Sequence, residues 1–245
     1  MKKFRRHPEN AGVGRVFVVL PALNEEPRIG RTVRGITRLW NHQVIVVDDG
    51  STDRTSEMAK RAGAIPVRHP RNRGVGAALR TGYQAAIRMG ADTLVTMGAD
   101  DQDNASEMPR LLKRIAEGAD FVQGSRWKAD GRVVNIPMFR RITTIVYSLL
   151  FTLLTGRRIT DGTNGYRAFR ASLLREIDIS PKWMDSYELE PYLYYRAVVG
   201  DYRVEEAPVT KRYPKNRKGY TKMRPFRDWW RILRPLILLG TGIRH

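Results

Sequence analysis

The chain has 245 residues, 42% of them apolar, and carries 44 lysines and arginines against 25 aspartates and glutamates, a formal charge of +19. That length and apolar content suit one large α/β domain, or one domain with an appendage, and exclude disorder over most of the chain. There is no cysteine, which excludes disulfides, thiolate catalysis and cysteine-ligated zinc. The four histidines are scattered and argue against a histidine-built metal site. The excess positive charge calls for a polyanionic partner: a phosphate-rich substrate, anionic lipid headgroups or nucleic acid.

Residues 1–14 read as a basic arm, and no apolar segment follows the first basic residues, so a signal peptide is not expected. Residues 15–21 form a β-branched apolar run that predicts a buried strand. Residues 22–26 then open a helix to about Trp40, with Asn24 as its N-cap. A second strand over 43–47 ends in Asp48-Asp49-Gly50-Ser51-Thr52-Asp53, with a helix to Ala62. A third strand over 64–69, a glycine-punctuated helix over 74–89 and a strand over 92–97 follow, and Ser106-Glu107-Met108-Pro109 starts the next helix. Strands alternating with helices predict a mostly parallel sheet with helices on both faces.

Such sheets bind ligands outside the carboxyl ends of their strands. Three polar clusters, residues 21–25, 48–51 and 100–103, are therefore expected at one rim. Gly98-Ala99-Asp100-Asp101-Gln102-Asp103 puts three carboxylates and an amide at a strand end. That chemistry suits Mg²⁺ or Mn²⁺, hard cations that take oxygen ligands, and Mg²⁺ usually takes one or two carboxylates plus the phosphates of its substrate. No GxGxxG follows the first strand and no GxxxxGK[ST] occurs, which argues against a dinucleotide enzyme and a P-loop NTPase.

The uncharged run over 142–156 lies between Arg140-Arg141 and Arg157-Arg158. It falls short of the roughly 18 to 20 apolar residues that span a bilayer and is expected to be buried or interfacial. From Ala207 to His245 there are eleven lysines and arginines and one acid, Asp228, interleaved with Tyr213, Tyr220, Phe226, Trp229 and Trp230. This mixture predicts an amphipathic membrane-interface segment over 226–245 ahead of an RNA-binding tail. A basic RNA-binding protein is the non-enzyme alternative, but it leaves three acidic strand ends without a role, so no nucleic-acid partner is expected.

Val19-Leu20-Pro21-Ala22-Leu23-Asn24-Glu25-Glu26, Val46-Val47-Asp48-Asp49-Gly50-Ser51, Asn72-Arg73-Gly74-Val75-Gly76, residues 98–103 and Gly124-Ser125-Arg126 together resemble the family-2 glycosyltransferases of the GT-A fold. Asp161-Gly162-Thr163-Asn164-Gly165-Tyr166-Arg167 and Gly219-Tyr220-Thr221-Lys222-Met223 resemble, more narrowly, dolichol-phosphate mannose synthases and related polyprenyl-phosphate glycosyltransferases. The resemblance spans residues 15–225, with a nucleotide half over about 15–125 and an acceptor half over about 126–225. It implies that Pro21, Ala22, Glu25 and Asp48 form the pocket for base and ribose with Asp49 beside it, and that Asp100 and Gln102 hold the metal. The family motif Asp-Ala-Asp-x-Gln has Gly98 here at its first aspartate. Either Asp101 or Asp103 compensates, or the cation rests on Asp100, Gln102, the diphosphate and water.

The resemblance also implies an acceptor-phosphate site of Ser125, Arg126, Arg140, Thr144, one of Arg212 or Arg217, and Lys222. Asp161, Asn164, Arg167 and Glu190 lie on the same side. A polyprenyl or dolichyl phosphate is already anionic at neutral pH and needs cationic positioning, whereas a sugar hydroxyl would need a general base, for which Asp101, Asp103 or Glu190 are the candidates. The resemblance thus implies an inverting hexosyltransferase, with Asp100, Arg126 and Arg140 carrying catalysis. It would move mannose from GDP-mannose, or glucose from UDP-glucose, to a polyprenyl phosphate. The expected place is an anionic membrane surface on the cytoplasmic face of the cell membrane, as a peripheral or monotopic protein.

Overall fold

A computed structural model of the chain describes residues 12–215, 223–224 and 227–242. In chain order the first half contains β1 (Val16–Ala22), α1 (Glu26–Thr37), β2 (Gln43–Asp48), α2 (Thr55–Arg61), β3 (Ile65–Arg68), α3 (Val75–Arg88), β4 (Thr93–Thr96), α4 (Met108–Ala116) and β5 (Phe121–Ser125). The second half contains β6 (Arg132–Val134), α5 (Met138–Thr155), β7 (Arg167–Arg170), α6 (Leu173–Glu176), α7 (Leu189–Val199), β8 (Val204–Pro208), β9 (Thr210–Arg212) and α8 (Arg227–Gly240).

Seven strands form one sheet in the order β3-β2-β1-β4-β7-β5-β8. Every neighbouring pair is parallel except those made by β7, which runs antiparallel between β4 and β5. The mostly parallel α/β sheet is therefore as predicted, but β7 threads the second half of the chain into the first half's sheet. A two-stranded sheet of β6 and β9 stands apart.

Two cores follow from the pleat. Side chains alternate across a strand, so Val18 and Leu20 of β1 pack with Ile29, Val33 and Ile36 of α1, while Phe17 and Val19 pack on the opposite face with Leu79 and Tyr83 of α3. Glycine sets how closely the helices can approach. At Gly76 a Cβ would lie 2.0 Å from the Met184 carbonyl oxygen. The bare backbone there lets Ala77 N–H donate to the Asp185 oxygen at 2.9 Å, which clamps residues 184–186 onto the start of α3.

Three expectations change. Asn24 does not cap α1: it sits at φ 49°, and its Oδ1 accepts the Thr52 N–H at 2.9 Å, so it ties the β1 loop to the β2 loop. Most of the expected basic arm lies outside the described residues, but Val13 within it is buried and its carbonyl accepts the Thr93 hydroxyl at 2.6 Å. The 226–245 segment is not set apart from the domain over its described part. Helix α8 packs on α5 and α7, and Leu236, 1% exposed, joins the same core as Phe151 and Leu193, with Ile232, Leu233 and Leu239 packed against it. That side of the helix is taken up by the domain, while Trp230 and Ile237 stay 56% and 36% exposed.

Helix α5 behaves in the opposite way. It starts at Met138, ahead of the uncharged run, and so reaches 18 residues, long and apolar enough to cross a membrane by length and composition alone. Thr144, Tyr147, Ser148 and Phe151 are buried against the protein, while Phe139, Ile142, Leu149 and Leu153 are 65%, 54%, 57% and 69% exposed.

Candidate active site

Because β2, β1 and β4 are parallel neighbours, their carboxyl ends open on one rim, and two cavities meet there. The larger, of about 690 Å³, is walled by Pro21, Ala22, Glu25 and Asp49 from the strand ends and by Arg73 and Gly74 ahead of α3. Its other wall is Lys182, Trp183, residues 185–188 and one side of α8, including Arg227, Arg231 and Arg234. The smaller, of about 270 Å³, is lined by Asp100, Gln102, Arg126, Arg140, Thr144 and Lys211, among others. Glu25 and Tyr187 line both. Burial, with Asp228 nearby, pushes the Tyr187 hydroxyl up to about 12, so it is a neutral donor at the junction.

At the end of β2 the two aspartates divide. Asp49 faces the larger cavity and accepts the N–H groups of Arg73 and Gly74 at 3.0 and 2.8 Å, with His69 Nδ1 at 2.7 Å. Asp48, expected in the pocket, is fully buried behind the wall: its Oδ1 accepts the Ser51 N–H at 2.8 Å and its Oδ2 lies 3.6 Å from Arg68 Nε. Successive side chains at a strand end point to opposite sides, so only one of the pair reaches the cavity.

The carboxylates after β4 diverge as well. Asp100 lines the smaller cavity. Burial raises its carboxyl above the ordinary range, opposed by the nearby Lys211. Asp101, at φ 62°, turns outward to pair with Arg31 at 3.0 Å. Asp103 is tied on both oxygens, one accepting Gly98 N–H at 2.8 Å and the other Lys211 Nζ at 2.9 Å. A Cβ on Gly98 would stand 2.8 Å from Asp100 Oδ1 and 3.2 Å from Asp103 Oδ2, so these carboxylates fill the space a side chain at 98 would need. Of the two candidates to replace the missing aspartate, Asp103 thus stands beside position 98, whereas Asp101 points away toward Arg31.

On the acceptor side Arg126 is 4% exposed and committed. Its Nε and Nη2 donate to the two Asp161 oxygens at 2.7 Å each, its Nη1 to Tyr213 Oη at 2.8 Å and its Nη2 also to Thr163 Oγ1 at 2.7 Å. Burial alone would lower this guanidinium, but Asp161 outweighs it and holds it above the usual arginine range. Arg140 is half-buried, over the Tyr213 ring at 5.6 Å, and shares the cavity wall with Thr144 one turn along α5. Glu190 lies on the same wall, 3.3 Å from Arg167. Ser125 is fully buried behind the wall, where its Oγ accepts the N–H groups of Trp127 and Lys128 at 3.2 and 3.1 Å and bonds Thr160. Arg212 also leaves the site: on β9 it points away from Lys211 into a groove with Arg110 and Arg132. Arg217 and Lys222 lie outside the described residues. Sequence reasoning missed Lys211, Tyr213 and the arginines of α8; the alternation Lys211, Arg212, Tyr213 on a short strand was the available signal for the first two.

Residues 17–178 match the family model described as Glycosyl transferase family 2. The chain belongs to glycosyl transferase family 2. It is a glycosyltransferase, and the sheet just described is a GT-A fold. It is 33% identical over 215 residues to the undecaprenyl-phosphate mannosyltransferase of Micrococcus luteus, covering 85% of this chain and 87% of that protein. It is 32% identical over 219 residues to the polyprenol monophosphomannose synthase of Mycolicibacterium smegmatis, covering 85% of this chain and 81% of that one. Among solved structures, the glucosyl-3-phosphoglycerate synthase of M. tuberculosis superposes with a TM-score of 0.70 at 25% identity, over 97% of this chain and 84% of that chain. The M. tuberculosis enzyme has also been solved with Mn²⁺, UDP and glucosyl-3-phosphoglycerate, a structure of TM-score 0.71 at 23% identity over 99% of this chain and 88% of that one.

Proposed function

We propose that this glycosyltransferase moves a hexosyl group, mannose from GDP-mannose before glucose from UDP-glucose, from a nucleotide sugar in the larger cavity to a polyprenyl phosphate whose head enters the smaller one. The observation that carries this is the meeting of the two cavities at Glu25 and Tyr187, with Asp100 and Gln102 on one side of the smaller cavity and Arg140 and Thr144 on its α5 side. The names of the two relatives support the acceptor class and the sugar. The outward turn of Asp101, the tethering of Asp103 and the Arg167 partner of Glu190 leave no uncommitted general base among these candidates, which favours an acceptor that is already an anion.

Among the described residues no group of three acidic or histidine side chains cages a metal. One carboxylate and one amide, Asp100 and Gln102, do fit a hard cation completed by the substrate's own diphosphate. Bound there, Mg²⁺ or Mn²⁺ would neutralise charge building on the leaving diphosphate. The rest falls to the chain. Pro21, Ala22, Glu25 and Asp49 seat the nucleoside. Arg140 and Thr144 hold the acceptor phosphate against the anomeric carbon. Arg126, spent on Asp161, fixes the wall of the smaller cavity with one Nη1 hydrogen left uncommitted among the described residues. The phosphate oxygen forms the new bond to the anomeric carbon from the face opposite the diphosphate, which departs with the electron pair of the broken C–O bond, giving inversion.

A polyprenyl acceptor keeps its chain in the bilayer, since each buried CH₂ is worth about 0.8 kcal/mol. Helix α5 suits the approach, with Arg140 and Thr144 toward the cavity and Ile142, Leu149 and Leu153 outward. We place the protein as peripheral or monotopic on the cytoplasmic face, with α5 lying in the interface. The test incubates purified protein with labelled GDP-mannose or UDP-glucose and a short-chain polyprenyl phosphate. Lipid-linked label from the first supports the reading, and absence of lipid-linked label from either donor overturns it.

A further inference from the structure

The turn after β4 is stapled to β9 by more than one bond. Asp103 and Lys211 form a backbone bridge, Arg212 N–H donates to the Gln102 oxygen at 2.9 Å, and Lys211 Nζ reaches Asp103 Oδ1 at 2.9 Å. Lys211 is held there with its side chain 13% exposed and Asp103 1% exposed. Desolvation alone would lower the Lys211 ammonium, but Asp103 and Asp100 together outweigh it and keep it charged. Asp103 takes up one of its three N–H donors, and the residue lines the smaller cavity beside Asp100, Gln102, Arg126 and Arg140.

The pair places an ammonium, anchored on Asp103, in the wall of the cavity that Asp100 and Gln102 also line. We propose that Lys211 is a catalytic residue: its ammonium, anchored on Asp103, contacts the donor diphosphate and takes part of the charge that grows there as the bond from the anomeric carbon to the diphosphate oxygen breaks. This rests on reading the site as one that transfers a sugar from a nucleoside diphosphate. No proton need move, because the departing diphosphate keeps the electron pair and meets the ammonium as an anion.

The test compares wild type, K211M, K211R and the double variant K211M/D103N, which leaves no bare buried carboxylate and so carries the test if K211M alone does not fold. Calorimetry with Mn²⁺ present measures binding of GDP, UDP and the parent nucleosides, and transfer is followed separately. Expected for K211M/D103N are a native melting curve, diphosphate affinity about tenfold or more below wild type, nucleoside affinity unchanged, and kcat lower by roughly two orders of magnitude, with K211R intermediate. Diphosphate affinity and kcat restored to wild type in the double variant would reduce Lys211 to a counterion of Asp103 and overturn the proposal. Wild-type protein that binds neither diphosphate would instead overturn the sugar-transfer reading itself.

Discussion

Arg126 grips Asp161 with two nitrogens on two oxygens, each at 2.7 Å, and both side chains are almost completely buried. Removing one partner of such a pair strands the other charge in the interior and costs about 3–5 kcal/mol. Arg126→Ala and Asp161→Ala should each lower the melting temperature by roughly 10 °C for a chain of this length. Arg126→Lys should recover little, because an ammonium cannot reproduce the fork. Differential scanning calorimetry reads all three, and a melt of Arg126→Ala close to wild type would show that the arginine binds substrate without holding the fold.

Arg140 sits in the contrasting position. Half-buried, it leans on Tyr213 and lies 3.0 Å from the sulfur of Met223, so Arg140→Ala should cost less than about 1 kcal/mol of stability. Its loss should raise KM for a short polyprenyl phosphate by about tenfold to a hundredfold while donor affinity measured by calorimetry stays level. An equal loss of donor affinity would move Arg140 to the diphosphate.

Asp100 and Asp101 are adjacent yet should behave differently. Asp101 makes an exposed ion pair with Arg31, a contact worth under about 1 kcal/mol, and it occupies a left-handed backbone where glycine is at ease. Asp101→Gly should therefore leave turnover and stability near wild type. Asp100→Asn should lower kcat by roughly a hundredfold or more and weaken Mn²⁺ binding in the presence of a nucleoside diphosphate, and excess chelator should stop the wild-type reaction. Full activity in chelator would sink the metal assignment.

The two C-terminal helices separate packing from membrane contact. Leu236→Ala on α8 removes a side chain 1% exposed and should cost about 2–5 kcal/mol, so truncating this helix should destabilise the whole domain. Leu149→Glu with Leu153→Glu on α5 changes residues 57% and 69% exposed. The double variant should melt like wild type, lose cosedimentation with anionic liposomes and still use a water-soluble acceptor. Unchanged liposome binding would assign the interface to another surface.

Much of this was legible from particular residues. The β-branched runs of β1, β2 and β4 and the helical segments between them announced a parallel sheet, and parallel neighbours must open their carboxyl ends on one side, so Pro21, Glu25, Asp49 and Asp100 were bound to share a rim. Arg140 and Thr144, one helical turn apart, were bound to share a face. The stretches around residues 19–26, 46–51 and 98–103 were enough for the family resemblance, because they are local in sequence.

What stayed hidden depends on partners far apart in the chain. Asp161 lies 35 residues from the Arg126 it neutralises, and Lys211 lies 108 residues from Asp103; no local pattern says which of many arginines or lysines meets a given carboxylate. A run such as Asp100-Asp101-Gln102-Asp103 also says nothing of direction, since one residue's shift along a turn or strand end moves a side chain from the cavity to the core or to solvent, and the same ambiguity separated Asp48 from Asp49 and Arg212 from Lys211. Composition predicted an amphipathic α8 but not what its apolar face would meet; packing against α5 and α7 decided that for Leu236, Ile232 and Leu233, leaving α5 with the larger exposed apolar surface. The sequence by itself determined the mostly parallel sheet, its rim and the family, because strand and helix type and local motifs follow from periodicity and from residues close together in the chain. Only the tertiary structure decided which charges face the cavities, because that is set by register and by long-range pairing in a desolvated interior.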